Sequence, residues 1–148
     1  MLFTNTIASL DRSNKPERKA MKTKIHTDAA PAAIGPYSQA LAFQELVFTS
    51  GQLPLDPETM AFPEGGIKEQ ALQSLKNLKA VLEASGASLD TVLKTTCFLA
   101  DMQDFAEFNE MYTEVFGTEN APARSCVQAA RLPKDALVEV EAVAYISK

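Results

Sequence analysis

The sequence predicts an α+β domain in which one β-sheet carries two helices on one of its faces. Three observations lead there. Five short runs are rich in β-branched or alternating apolar residues, and two longer runs place apolar residues three and four apart. Their order along the chain is β-β-α-β-α-β-β, with a hairpin expected at each end.

The first strand is expected from Tyr37 to Phe43, after the turn signal Gly35-Pro36. A second, from Glu45 to Ser50, is stopped by Gly51 and then by Pro54 and Pro57. The two are close enough for a hairpin around Phe43–Gln44, although that dipeptide lacks the residues that tight hairpin turns favour. Gly65-Gly66 precede the clearest helix, where Ile67, Ala71, Leu75, Leu78 and Leu82 form one stripe and Gly86 is placed to cap the end. The segment "TVLKTTCFLAD" reads as a third strand because of its β-branched residues. The second helix is expected in "DFAEFNEMYTEVFG", with Phe105, Phe108, Met111 or Tyr112, and Val115 on one face. Asp104 and Glu107 suggest a capping box, and Gly117 a stop. The last two strands lie in "PARSCVQAARLPKDALVEVEAVAYI" and read as a hairpin.

The final strand has two unequal faces. Val138, Val140, Ala142, Ala144 and Ile146 share one by alternation. Leu137, Glu139, Glu141, Val143 and Tyr145 share the other, which is too apolar for open solvent and too charged for a dry core. An oligomer interface containing a polar pocket accounts for both properties.

A length of 148 residues points to one domain, and composition removes several functions. The net charge of −5, with scattered Lys and Arg, opposes nucleic-acid and anionic-membrane binding, which need clustered cations. No apolar run reaches the roughly 18 residues of a membrane span. Cys97 and Cys126 form no CxxC pair and read as reduced thiols of a cytoplasmic protein, with a disulfide between them as the alternative if their strands are neighbours. With His26 as the single histidine they offer no metal-site spacing, so no metal is expected. Residues 1–21 show no sustained periodicity and no cleavable apolar segment, and Asp11 and Glu17 oppose an organellar transit peptide. They are expected to be a disordered extension, or absent from the mature chain, with the domain at 22–148.

Charges in the strands are the chemical signal. Arg124 and Cys126 share a face of their strand, and Arg124 is expected to point at the same mixed surface as Glu139. A partly buried guanidinium must be paired. Two readings fit: a structural Arg–Glu bridge at a subunit boundary, or an anion site in which the guanidinium grips a carboxylate. Tyr37 after Gly-Pro, Ser50-Gly51 at a strand end, and Asn109 in the second helix each fit ordinary structural roles when taken singly.

Taken together they carry more. The segments "DAAPAAIGPYSQA", "FTSGQLPLDP", "LKTTCFLADMQDFAEFNEMY" and "PARSCVQAARLPKDALVEVEAVA" resemble the RidA (YjgF-type) family of reactive-intermediate deaminases, in the family's order, over roughly Thr27 to Tyr145. The resemblance implies a chorismate-mutase-like fold assembled as a homotrimer with pockets between subunits. It also implies cofactor-free hydrolysis of short-lived enamines and imines, such as 2-aminoacrylate and its imine tautomer, to 2-keto acids and ammonia. Carried over by motif, Arg124 binds the substrate carboxylate, and Tyr37, Ser50, Asn109 and Glu139 line the pocket. Backbone groups at Gly51 and Cys126 contact the ligand. Glu139 rather than Glu141 is the implied pocket carboxylate, since it follows Arg124 by fifteen residues. Arg124 and Glu139 are then the catalytic pair. Two other functions fit the same residues: a non-catalytic trimer that binds small carboxylates, and an RNA-acting translation inhibitor, which the acidic balance opposes.

Overall fold

The computed structural model describes residues 21–148. The expected extension at 1–21 therefore lies, apart from Met21, outside the described residues. The elements are β1 (Thr23–Ile25), β2 (Ala40–Phe43), β3 (Leu46–Thr49), α1 (Ile67–Ser85), β4 (Val92–Leu99), α2 (Phe105–Phe116), β5 (Ala123–Gln128) and β6 (Val138–Tyr145). One sheet and two helices were expected and are found. The addition is β1, a three-residue strand on β2 that is too short to show alternation in sequence. Among the described residues no helix is long and apolar enough to cross a membrane.

Local chemistry explains the boundaries. Pairing of Phe43 with Leu46 leaves Gln44-Glu45 as a two-residue hairpin loop, and Gln44 takes φ 55° although it is neither Gly nor Asn. Tyr37 lies in the loop ahead of β2 instead of starting it. Helix α1 opens with the Glu69 carboxylate accepting from Gly66 N at 2.7 Å and closes on Gly86 in the left-handed region, φ 87°. The expected Asp104 capping box of α2 does not form. A short 3₁₀ turn, Met102–Asp104, leads into the helix instead, and Asp101 accepts from Gln103 N at 2.9 Å.

The sheet order is β1-β2-β3-β6-β4-β5, so the expected C-terminal hairpin is overturned. Strand β5 pairs with β4 in parallel, whereas β6 returns to the middle and pairs antiparallel with both β3 and β4. The link between them is long enough to cross over, and it turns at Lys134 and Asp135, with φ 57° and 58°. Strands β3, β4 and β5 all run one way, joined first by α1 and then by α2. Both crossovers step across the sheet in the same direction, and right-handed crossovers then place both helices on the same face. There Leu75, Leu78, Leu82 and Phe108 are fully buried with Val47, Leu99, Val138 and Val140.

One flank of α1 is buried yet polar. Ser74 donates to Gln52 O at 2.7 Å, and Asn77 Nδ2 donates to Leu53 O and Leu55 O at 2.9 and 2.8 Å. Gln70 Oε1 accepts from Leu137 N at 2.9 Å, just before β6. These bonds fix the 52–55 segment and the entry to β6; Gln52 also bridges Val140 through backbone bonds of 2.8 and 3.3 Å, whereas the Leu53 and Leu55 carbonyls rely on Asn77 and the Leu137 N–H on Gln70.

Candidate active site

The sequence-predicted residues fall into two groups. Tyr37, Ser50, Gly51 and Glu139 line a cleft of about 490 Å³ between the loop before β2, the segment after β3 and the start of β6. Buried Gln39 shapes one wall: its Nε2 donates to Thr27 O, Ala30 O and Pro31 O at 3.0, 3.3 and 2.9 Å, while Oε1 accepts from Thr27 N at 2.8 Å. The Tyr37 hydroxyl accepts from Ile34 N at 3.1 Å, which leaves its own proton to be donated. Ser50 spends its proton on Ser38 O at 2.6 Å and keeps lone pairs to accept.

Gly51 and the Glu139 side chain are in close contact. A Cβ built on Gly51 would lie 2.0 Å from Glu139 Oε1, so the carboxylate rests against bare backbone. Burial, and secondarily the charge of Glu141, raise the Glu139 carboxyl above the ordinary value of 4.5.

The second group sits at the β5 edge. Arg124 Nη1 donates to Asn109 Oδ1 at 2.6 Å, and the guanidinium carbon lies 4.7 Å from the Tyr112 ring centroid and 5.5 Å from that of Phe105. Cys126 is beside it, in register with Cys97 on β4; both thiols are free. Burial raises both, Cys97 to about 12, which keeps it a thiol at neutral pH.

The expectation that Arg124 and Glu139 share a surface is not met. Arg124 pairs in register with Thr95, and Cys126 with Cys97, on the face that the helices cover. Glu139 pairs with Phe98 and Glu141 with Thr96, on the open face. An Arg124–Glu139 bridge within one chain is therefore excluded, and among the described residues Arg124 makes no ion pair. Several neighbours were not singled out as site residues: Phe105, Tyr112 and Thr95 around Arg124, and Gln39 and Lys134 at the cleft. The first signal was legible, because Phe105, Asn109 and Tyr112 follow helical spacing around the Asn. Among the described residues no group of three or more His, Cys, Asp or Glu could hold a metal ion.

A family model described as Endoribonuclease L-PSP matches residues 27–146. The crystal structure of RidA from an Antarctic Psychrobacter superposes with a TM-score of 0.80 at 48% identity, covering 84% of this chain and 99% of that one. The chain belongs to the RidA family. Another RidA-family relative, the 2-iminobutanoate/2-iminopropanoate deaminase of Salmonella typhimurium, is 50% identical over 126 residues, 84% of this chain and 98% of that protein. The structure of E. coli TdcF with bound serine gives a TM-score of 0.80 at 46% identity, covering 84% and 99%. A RidA-type sheet with two helices on one face is thus common ground, and imine deamination is a named activity of a relative that matches over nearly its whole length.

Proposed function

We propose that this RidA-family chain is a cofactor-independent hydrolase that deaminates 2-enamine and 2-imine acids, of the 2-aminoacrylate and 2-iminobutanoate type, to 2-keto acids and ammonia. It protects a cytoplasmic metabolism from these electrophiles, with residues 22–148 as the working domain. The observation that carries the reading is Arg124. Its half-buried guanidinium is held by one amide and two aromatic faces and has no carboxylate partner among the described residues. Such a group calls for an anion, and a planar carboxylate matches its fork.

The division of the site supports a homotrimer of the chorismate-mutase-like kind. Arg124 and Glu139 face opposite sides of one sheet, so one copy cannot apply both to a small molecule. A second copy presenting its β5 edge at the Glu139 cleft supplies the missing half, and repeated head-to-tail contacts close a ring. The open face suits such contact, since Phe43, Leu46, Phe48 and Tyr145 are exposed together on neighbouring strands.

In the completed site the enamine takes a proton from solvent at its β-carbon to give an iminium. Arg124, with the backbone at Cys126, fixes the carboxylate, while Tyr37, Ser50 and the Gly51 backbone orient the rest. Water adds to C2 and ionised Glu139 takes its proton and hands it to the nitrogen; as the C–N bond breaks, the remaining hydroxyl gives its proton back to Glu139 and on to solvent, leaving ammonia and the 2-keto acid. A raised pKa suits a carboxyl that must both accept and return a proton. The net charge of −5 opposes the RNA cleavage for which the family model is named.

The test generates imino acids with an amino-acid oxidase in the presence of semicarbazide. Wild-type protein is expected to lower semicarbazone formation, and Arg124→Ala to leave it at the no-protein rate. Equal rates with and without folded wild-type protein would replace this reading with the carboxylate-binding trimer.

The pH profile carries its own prediction. The active form of Glu139 is ionised, so the rate falls as pH drops through its raised pKa. Glu141→Gln removes a charge that raises that pKa, and the acid limb is expected to move to lower pH with an unchanged plateau. An unmoved limb would show that Glu139 does not set it.

A further inference from the structure

The Arg124 guanidinium is not positioned by β5 alone. The guanidinium carbon lies over the Tyr112 ring, the nearer of its two aromatic neighbours, and Tyr112 is in turn held by a hydroxyl contact. The hydroxyls of Tyr112 and Thr95 are 2.7 Å apart, and both residues are buried, Thr95 completely. Cys97 Sγ lies 3.8 Å from the Thr95 hydroxyl and completes that polar nest. Thr95 is also the register partner of Arg124 across β4 and β5. One residue of β4 therefore sits beside the arginine backbone and anchors the ring that its head group stacks upon. Phe116 packs against the same tyrosine, with ring centroids 4.6 Å apart and planes tilted by 36°.

We propose that Tyr112, anchored by Thr95, is a positioning residue for carboxylate binding: it holds the Arg124 guanidinium in the one plane that presents its free N–H edge to substrate. A stacked guanidinium keeps its charge without water, because the ring quadrupole replaces part of the lost solvation. Asn109 takes one N–H at 2.6 Å and fixes rotation within the plane. Tyr112 and Asn109 therefore remove the rotational freedom that a surface arginine would lose on binding, so less entropy is lost when the carboxylate arrives. Burial raises the Tyr112 phenol, so the ring stays neutral through the working range. The inference rests on the reading of Arg124 as the carboxylate binder.

The test separates binding from turnover, using the full chain. Imine hydrolysis gives kcat and KM, and calorimetric titration with 2-ketobutyrate gives a carboxylate affinity that needs no chemistry. Tyr112→Leu is expected to weaken both KM and 2-ketobutyrate affinity about tenfold, with kcat changed far less. Tyr112→Phe keeps the ring but loses the anchor, and should weaken them a few-fold. Thr95→Val should have the same effect, and the double variant should do no worse than either single one, because the two hydroxyls act through one contact. A purely structural role would instead lower thermal stability and active fraction with KM unchanged. An active wild type whose KM and ketoacid affinity survive Tyr112→Leu would overturn the positioning role and leave the deaminase reading intact. A wild type that binds 2-ketobutyrate but hydrolyses nothing would leave the positioning role to be judged by the affinities alone, which fall with Tyr112→Leu if it is right. A wild type that does neither overturns both.

Discussion

Arg124→Ala and Glu139→Gln chains, each inactive alone, are expected to regain about a quarter of wild-type activity when unfolded, mixed in equal amounts and refolded together, if each site draws on two copies as the proposed closed ring requires. The argument is geometric. Arg124 stands on the helix-covered side of the β5 edge, and Glu139 stands on the open side of β6, two strands away in the sheet. In a mixed ring, a site that takes its arginine from a Glu139→Gln copy and its carboxylate from an Arg124→Ala copy is complete. Each single variant should lose activity by about 10²-fold or more, since the first loses charge-assisted substrate binding and the second the proton acceptor. Native mass spectrometry would establish that mixed oligomers formed. Mixed oligomers with no recovered activity would mean that both residues serve one site within a copy, or that one of them serves none.

Gly51→Ala should reduce activity by about 10²-fold with only a small loss of stability, the size expected when a catalytic group is displaced by about an ångström. The added Cβ would lie 2.0 Å from Oε1, 2.7 Å from Cδ and 2.9 Å from Cγ of Glu139. The whole end of that side chain must therefore swing away. Because the neighbour is a flexible carboxylate and not backbone, the fold absorbs the change cheaply while the proposed base is displaced. The measurement pairs a thermal melt with kcat/KM and the acid limb of the pH profile. Full activity with a normal acid limb would separate Glu139 from the chemistry, and a collapsed melting temperature would make Gly51 a folding position.

Much of the local structure could be read along the chain. The stripe Ile67 to Leu82, the glycines that bound α1, and the two-faced alternation of β6 depend on neighbours three or four residues away, or two, and those spacings are visible in sequence. The candidate residues were legible in a different way, through four ordered segments that resemble one family. The aromatic setting of Arg124 was partly legible too: Phe105, Asn109 and Tyr112 repeat at helical spacing, but nothing in that spacing says which strand they face.

The sequence by itself determined the types of all the elements but β1 and the short 3₁₀ turns, the unequal faces of β6, the acidic balance and the presence of a charge in each of the last two strands. Only the tertiary structure decided where those strands go. Two runs separated by a turn-like segment fit a hairpin locally, and long-range pairing with β3 and β4 overrode it. Strand pairing is settled by cross-strand packing between residues far apart in the chain, which no local pattern encodes. That one difference in placement sets Arg124 and Glu139 on opposite faces, where one chain cannot pair them.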